Sequence, residues 1–342
     1  MRVVSLLPSA TELICTILDE HDDDEHDDDE HDDEVGVVGV QLVGVSHECD
    51  HPPAFVKDLP QLTSSTIKFT TSADVDKQVR AHLNTGQGLY SVDKALLDEL
   101  RPDVIVTQSL CKVCSVDFCV VEQLATAMDN KPKLVDTNPQ SLVEVLDDLV
   151  RVGNALNLER EALEARRKLE ARIDAVRSLA RSRTTGTTGT TGTNENQASV
   201  VVLEWTEPLF IGGHWTPQLV AIAGGRHPLN PATQETGAGK STTVTSDQLR
   251  ACDPDVIVIA PCGLDLEKTI QESKVLIESP WWPELKAVRN NRVFLVDGNQ
   301  MFNRPGPRLV DALEWLATVL HEGASFEGVS AFPAMRLESE HS

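Results

Sequence analysis

Five short stretches carry side chains that could do chemistry, and each follows a run that reads as a buried strand. Ser46-His47-Glu48-Cys49-Asp50-His51-Pro52-Pro53 places imidazoles, a thiol and carboxylates within eight positions. Imidazole and thiolate suit zinc or cobalt, but a loop that shapes a ligand pocket is the favoured reading. Thr107-Gln108-Ser109-Leu110-Cys111-Lys112-Val113-Cys114 holds a CxxC, which is a redox pair or half of a zinc site. No second CxxC exists, so the thiols read as pocket-lining or structural groups, then as metal ligands, and last as a redox pair. Glu204 to Trp215 offers Trp205, Gly213, His214 and Trp215, whose aromatic rings can stack on a planar ligand; core packing is the competing role for either tryptophan. Asn303 to Arg308 supplies Arg304 and Arg308, guanidinium donors for a carboxylate, amide or phosphate. Pro8, Ser9 and Glu12 follow the first strand, where open α/β sheets bind ligands.

Gly237-Ala238-Gly239-Lys240-Ser241 looks like the end of a phosphate-binding loop. It lacks the upstream glycine and the preceding buried strand, so nucleotide chemistry is set aside. No acid–base pair accompanies the thiols, and a thiol-redox enzyme is the least favoured class.

Those loops need strands and helices to hold them. RPDVIVTQSLC (Arg101 to Cys111) and DPDVIVIAPCG (Asp253 to Gly263) echo one another. Each reads as a helix end, a Pro-Asp turn, a β-branched buried strand and a cysteine-bearing loop. Between the echoes lies Ser141 to Arg183, rich in Ala, Leu, Glu and Arg without proline, with apolar residues at three- and four-residue steps. A break near Gly153 and Asn157 divides it into a short helix and a long one of about 37 Å at about 1.5 Å per residue.

The expected fold class is α/β: two Rossmann-like lobes with mostly parallel sheets, joined by a long helix. The boundaries expected are an N-terminal lobe over 1–140 with an acidic insert at 19–34, a bridging helix at 141–183 and a Thr/Gly-rich linker at 184–198. A C-terminal lobe at 199–325 and a frayed tail at 326–342 complete the chain. Cys119 is expected to be buried by the helix that follows it.

The chain has 342 residues, enough for two domains with their own cores. Its formal charge of −24 owes 13 units to the acidic insert, and removing them leaves −11. A moderately acidic body argues against nucleic acid as a partner. Like charges at this density predict a disordered insert. No apolar run is long enough to span a bilayer. The opening strand-and-helix pattern, with Pro8 and Glu12 where a leader would be apolar, and seven scattered cysteines predict a cytoplasmic monomer.

Five runs in order, VVSLLPSATE, GVSHECDHPP, LDELRPDVIVTQSLCKVC, EWTEPLFIGGHWTPQLVAIAGG and FNRPGPRLVDALEWLA, carry a resemblance. The chain resembles the cobalamin-binding-protein branch of the Fe/B12 periplasmic-binding family, class III substrate-binding proteins of the TroA-like and BtuF-like kind. The resemblance implies a corrinoid or iron chelate held between two lobes by loops at Pro8 to Glu12, Ser46 to Pro53, Gln108 to Cys114, Trp205 to Trp215 and Asn303 to Arg308. It implies a non-catalytic binder of cobalamin or another corrinoid, with His47 or His214 as a possible cobalt ligand. It also implies docking on an ABC permease through one acidic residue per lobe, Asp93 and Asp247 here. His51 departs from the family, which often has an aromatic residue there. The alternative is metal or siderophore binding through His47, Cys49, Cys111 and Cys114.

Overall fold

The structure is a computed structural model that describes residues 1–22, 39–85, 88–109, 116–185 and 197–338. Most of the acidic insert and of the Thr/Gly linker, and both cysteines of the CxxC, lie outside the described residues. The chain forms two compact units. The first comprises Met1–Phe69, Lys77–Pro139 and Glu144–Lys168; the second comprises Thr70–Asp76, Gln140–Val143 and Leu169–Ser342.

In chain order the first unit introduces β1 (Arg2–Ser5), α1 (Pro8–Asp22), β2 (Gln41–Gly44), α2 (Pro53–Val56) and β3 (Thr63–Ser65). There follow α3 (Ser72–Thr85), β4 (Tyr90–Val92), α4 (Lys94–Leu100), β5 (Val104–Gln108), α5 (Phe118–Ala127) and β6 (Lys133–Thr137). Strands pair in the order β2-β1-β5-β6, all parallel, while β3 and β4 form a small antiparallel pair.

After α6 (Leu142–Leu156) and α7 (Glu159–Thr185) come β7 (Val200–Trp205), β8 (Phe210–Ile211), α8 (Thr216–Ile222), β9 (Thr242–Thr243) and α9 (Ser246–Cys252). The chain then forms β10 (Val256–Ile259), α10 (Leu266–Ile277), α11 (Lys286–Arg289), β11 (Val293–Val296), α12 (Leu309–Leu320) and β12 (Ala334–Leu337). The sheet order is β12-β11-β10-β7-β8-β9, with β11-β10-β7 parallel and the flanking pairs antiparallel. This is the expected pair of α/β lobes, and α7 runs continuously from the residues of one unit into those of the other.

The sequence echo marks an interior strand of each sheet. β5 lies between β1 and β6, and β10 between β11 and β7; both are fully buried, as β-branched runs in parallel sheets should be. The aspartate of each Pro-Asp turn does the same task. Asp103 accepts the Arg2 backbone N–H at 2.7 Å, and Asp255 accepts that of Ser199 at 2.8 Å. Each thereby satisfies a donor at the start of the neighbouring strand.

Three expectations need correction. Gly153 does not break α6. Its Cα faces the start of α7 so closely that an added Cβ would stand 2.3 Å from Ala162 Cβ, and the break falls at Asn157, φ +60°. Cys119 is exposed: it sits in the first turn of α5, whose buried positions are Val121 and Ala125. The tail is not frayed throughout, because Ala334–Leu337 pairs antiparallel with β11.

Candidate functional site

In the first unit the expected residues gather where β1, β2 and β5 end. Pro8 is the first residue of α1, so the expected loop Pro8–Glu12 is the helix's first turn. Proline suits that position because its missing N–H would have had no helical partner. Ser9 and Glu12 are therefore buried, each 3% exposed. The Thr11 hydroxyl bonds Ser5 Oγ at 2.8 Å and meets Cys49 Sγ at 3.1 Å. Cys49 is thus a buried thiol against α1, Asp50 is exposed, and Gln108 is buried at the end of β5.

His47 is held by a specific relay. Thr63 on β3 donates its hydroxyl proton to Ser46 Oγ at 3.0 Å, and its oxygen lies 2.7 Å from His47 Nδ1. A hydroxyl that has already donated its proton can only accept. With the hydroxyl proton directed to Ser46, the ring donates from Nδ1 and leaves the lone pair on Nε2. Thr63 Oγ1 also accepts the His47 backbone N–H at 3.1 Å. Tyr90 packs tilted against the imidazole, ring centroids 5.9 Å apart. Metal-binding histidines are characteristically fixed in this way, through the nitrogen that does not bind.

The proposed four-ligand metal set does not assemble from what is described. Cys111 and Cys114 lie outside the described residues, and Cys49 is turned to Thr11. Among the described residues, no group of three or more His, Cys, Asp or Glu could hold a metal ion.

In the second unit the strand-end residues divide between wall and core. Trp205 ends β7 and donates its indole N–H to the Ser72 carbonyl at 3.0 Å. Trp215, expected as a stacking surface, is 5% exposed and donates to the Phe302 carbonyl at 2.8 Å, so its ring belongs to the core. His214 stands beside it in the left-handed region at φ +52°, its ring stacked on the indole at 5.7 Å. Arg304 and Arg308 are buried at 7% and 8% exposure; their guanidinium groups donate to Asn299 Oδ1 and Gln300 Oε1, both at 3.1 Å.

Residues 237–241 are not a nucleotide loop, because they lead directly into β9 and not into a helix. They fold onto the Gly212–Trp215 loop instead: Ala238 N–H donates to the His214 carbonyl at 2.7 Å and His214 N–H to the Gly239 carbonyl at 3.0 Å. Glu204 joins the two segments. Its carboxyl accepts from Gly213 N at 3.2 Å and Thr216 Oγ1 at 3.4 Å, and bonds Ser241 Oγ at 2.5 Å. Burial pushes this carboxyl up to about 7, against the lowering effect of those bonds. Sequence reading passed over Thr63, Glu204 and Ser241. An acid at the penultimate position of the otherwise apolar strand VVVLEW was the one local sign.

A sequence profile described as periplasmic binding protein matches residues 86–299. The chain belongs to this family. No curated protein matches the sequence. Among solved structures, a periplasmic heme binding protein from Pseudomonas aeruginosa is similar at TM-score 0.66 and 18% identity, covering 99% of each chain. A possible iron-binding (periplasmic solute-binding) protein from Staphylococcus epidermidis aligns at TM-score 0.61 and 18% identity, over 94% of this chain and 98% of that one. The periplasmic vitamin B12 binding protein BtuF of Vibrio cholerae aligns at TM-score 0.58 and 18% identity, over 93% and 96%. Members of the family are non-catalytic solute-binding proteins of ABC transporters, and the chain is not an enzyme.

Family membership overturns the cytoplasmic expectation and indicates an extracytoplasmic protein. That expectation rested on how the chain opens and on its cysteine number, neither of which is fixed by the fold. Among the described residues, no helix is long and apolar enough to cross a membrane.

Proposed function

We propose that this solute-binding protein takes a corrinoid as its ligand, with His47 Nε2 as an imidazole ligand to the metal. The observation that carries the reading is the Ser46–Thr63–His47 relay, which holds the proton on Nδ1 and aims the lone pair of Nε2 outward from the bonded side. Cobalt and iron both accept neutral imidazole. The five family-like runs favour the corrinoid, while structural similarity over 99% of both chains to a heme binding protein makes haem the second reading. Arg304 and Arg308 supply polar contacts at the carboxyl ends of the strands in the second unit. Delivery is to an ABC permease. Asp247, 87% exposed in the first turn of α9 and paired with Arg250 at 3.5 Å, and the exposed Asp93, which caps α4 by accepting the Leu96 N–H at 3.0 Å, are the docking acids.

The test is absorbance titration of the full chain with aquocobinamide and, separately, with hemin. The expected result is saturable aquocobinamide binding with a shifted visible spectrum, the shift disappearing in His47→Ala. Saturation by hemin alone selects the haem reading. No response to either up to high micromolar ligand overturns both.

A further inference from the structure

We propose that Glu204 is a positioning residue of the second unit's site: its carboxyl locks the Gly237–Ser241 strap onto the Gly212–Trp215 loop and so sets how tightly ligand is held. The proposal rests on the ligand reading above only in its last clause.

Glu204 is the penultimate residue of β7, and its two oxygens serve two separate segments. Oε1 accepts from Gly213 N and Thr216 Oγ1, on the loop and the first turn of α8; Oε2 bonds Ser241, 37 residues further along the chain. Asn230 reinforces the same seam, its amide donating to the carbonyls of Gly212 at 3.0 Å and Gly239 at 3.1 Å. The seam is close enough to need glycine. A Cβ on Gly213 would stand 2.2 Å from the Ser241 nitrogen, and one on Gly237 would stand 2.9 Å from the His214 carbonyl oxygen. Backbone contact this tight fixes His214 only while the strap stays in place, and Glu204 is the side chain that ties strap to strand.

The carboxyl also couples the strap to pH. Burial is the largest cause of its rise from 4.5 to about 7, and no charged neighbour contributes. The titratable groups on the facing segments are His214 on the loop, Lys240 on the strap and Glu207 beyond β7. A strap that opens returns Glu204 to water and to its ordinary value. The closed form therefore holds a proton that the open form releases, and closure weakens as pH rises from about 4.5 through about 7. In the closed form at low pH the neutral acid donates to Ser241 and still accepts from Gly213 and Thr216, with no charge left buried.

Amide hydrogen exchange at His214 and Ala238, corrected for the intrinsic pH dependence, tests this without any ligand. In the wild-type chain, opening should rise about tenfold between pH 6 and pH 8 by linkage. In Glu204→Gln, which keeps a neutral acceptor and donor, protection at pH 6 should exceed wild type, by up to about thirtyfold on the same linkage, and its pH dependence should vanish. In Glu204→Ala the two amides should exchange at least about tenfold faster. Equal protection in all three proteins overturns the positioning role. Aquocobinamide affinity at pH 6 is the second readout: a loss of about fivefold or more in Glu204→Ala, with Glu204→Gln near wild type, is expected. Unchanged affinity despite a loosened strap overturns the link to ligand. A loosened strap in a protein whose wild type binds no ligand refutes the corrinoid reading and leaves the positioning role standing.

Discussion

His47 Nδ1, in the turn after β2, lies 2.7 Å from the hydroxyl oxygen of Thr63, 16 residues away on β3. With Thr63 donating to Ser46, its oxygen accepts from Nδ1, the arrangement that leaves the lone pair on Nε2. The consequence is chemical: a fixed tautomer gives a metal-centred ligand a directed lone pair with no cost of choosing it at binding.

Thr63→Val keeps the side-chain shape and removes the acceptor. Aquocobinamide affinity should fall about 10–100-fold, the usual cost of losing a partner behind a metal-bound histidine. Isothermal titration of the variant beside His47→Ala measures it. Full affinity in Thr63→Val, with binding lost in His47→Ala, would refute the relay.

Asp148 on α6 makes stability depend on pH. Its side chain is 2% exposed and pairs with Arg151. Burial pushes its carboxyl up to about 7; Arg151 opposes that rise and Asp136 adds to it. The folded state thus holds a proton that the unfolded chain releases near 3.8, so stability from this group is complete below that value and is lost as pH rises through about 7. Asp148→Asn removes the penalty. It should exceed the wild type by about 1–3 kcal/mol at pH 8 and show no advantage at pH 4 in urea unfolding.

Arg172 on α7 is the anchor of that helix within the second unit. Its guanidinium donates to both Glu314 oxygens at 2.9 and 2.7 Å and to Asp311 at 2.6 Å, which hold it firmly charged. Glu314 is 5% exposed, so Arg172→Ala strands a buried carboxylate. The expected loss is about 3 kcal/mol, read as a lower thermal midpoint; Arg172→Ala with Glu314→Leu should recover most of it, and no recovery would place the effect elsewhere.

The elements legible in the sequence are those whose signals are local. Thr245 and Gln248 form a reciprocal capping box, a local signal that starts α9 at Ser246. The PDVIV runs became the buried interior strands, since β-branched residues without polar alternation have no other place in an α/β sheet. Cys119 failed because its position in the first turn of α5, not its type, decides which way it faces. The strand Ala334–Leu337 failed because four residues of ordinary propensity become a strand only where β11 offers an open edge.

By itself the sequence determined two α/β lobes, the long helix between them, the strand ends that carry His47, Gln108, Trp205, His214 and Arg304, and the resemblance to binding proteins. Periodicity and turn chemistry act over a few residues, so a single chain displays them. Tertiary structure decided the rest: that Trp215 is core, that Thr63 sets the proton on His47, and that Glu204 meets Ser241. Each is a contact between residues far apart in sequence, made by burial and hydrogen bonding after the sheets have formed, and no local pattern encodes it.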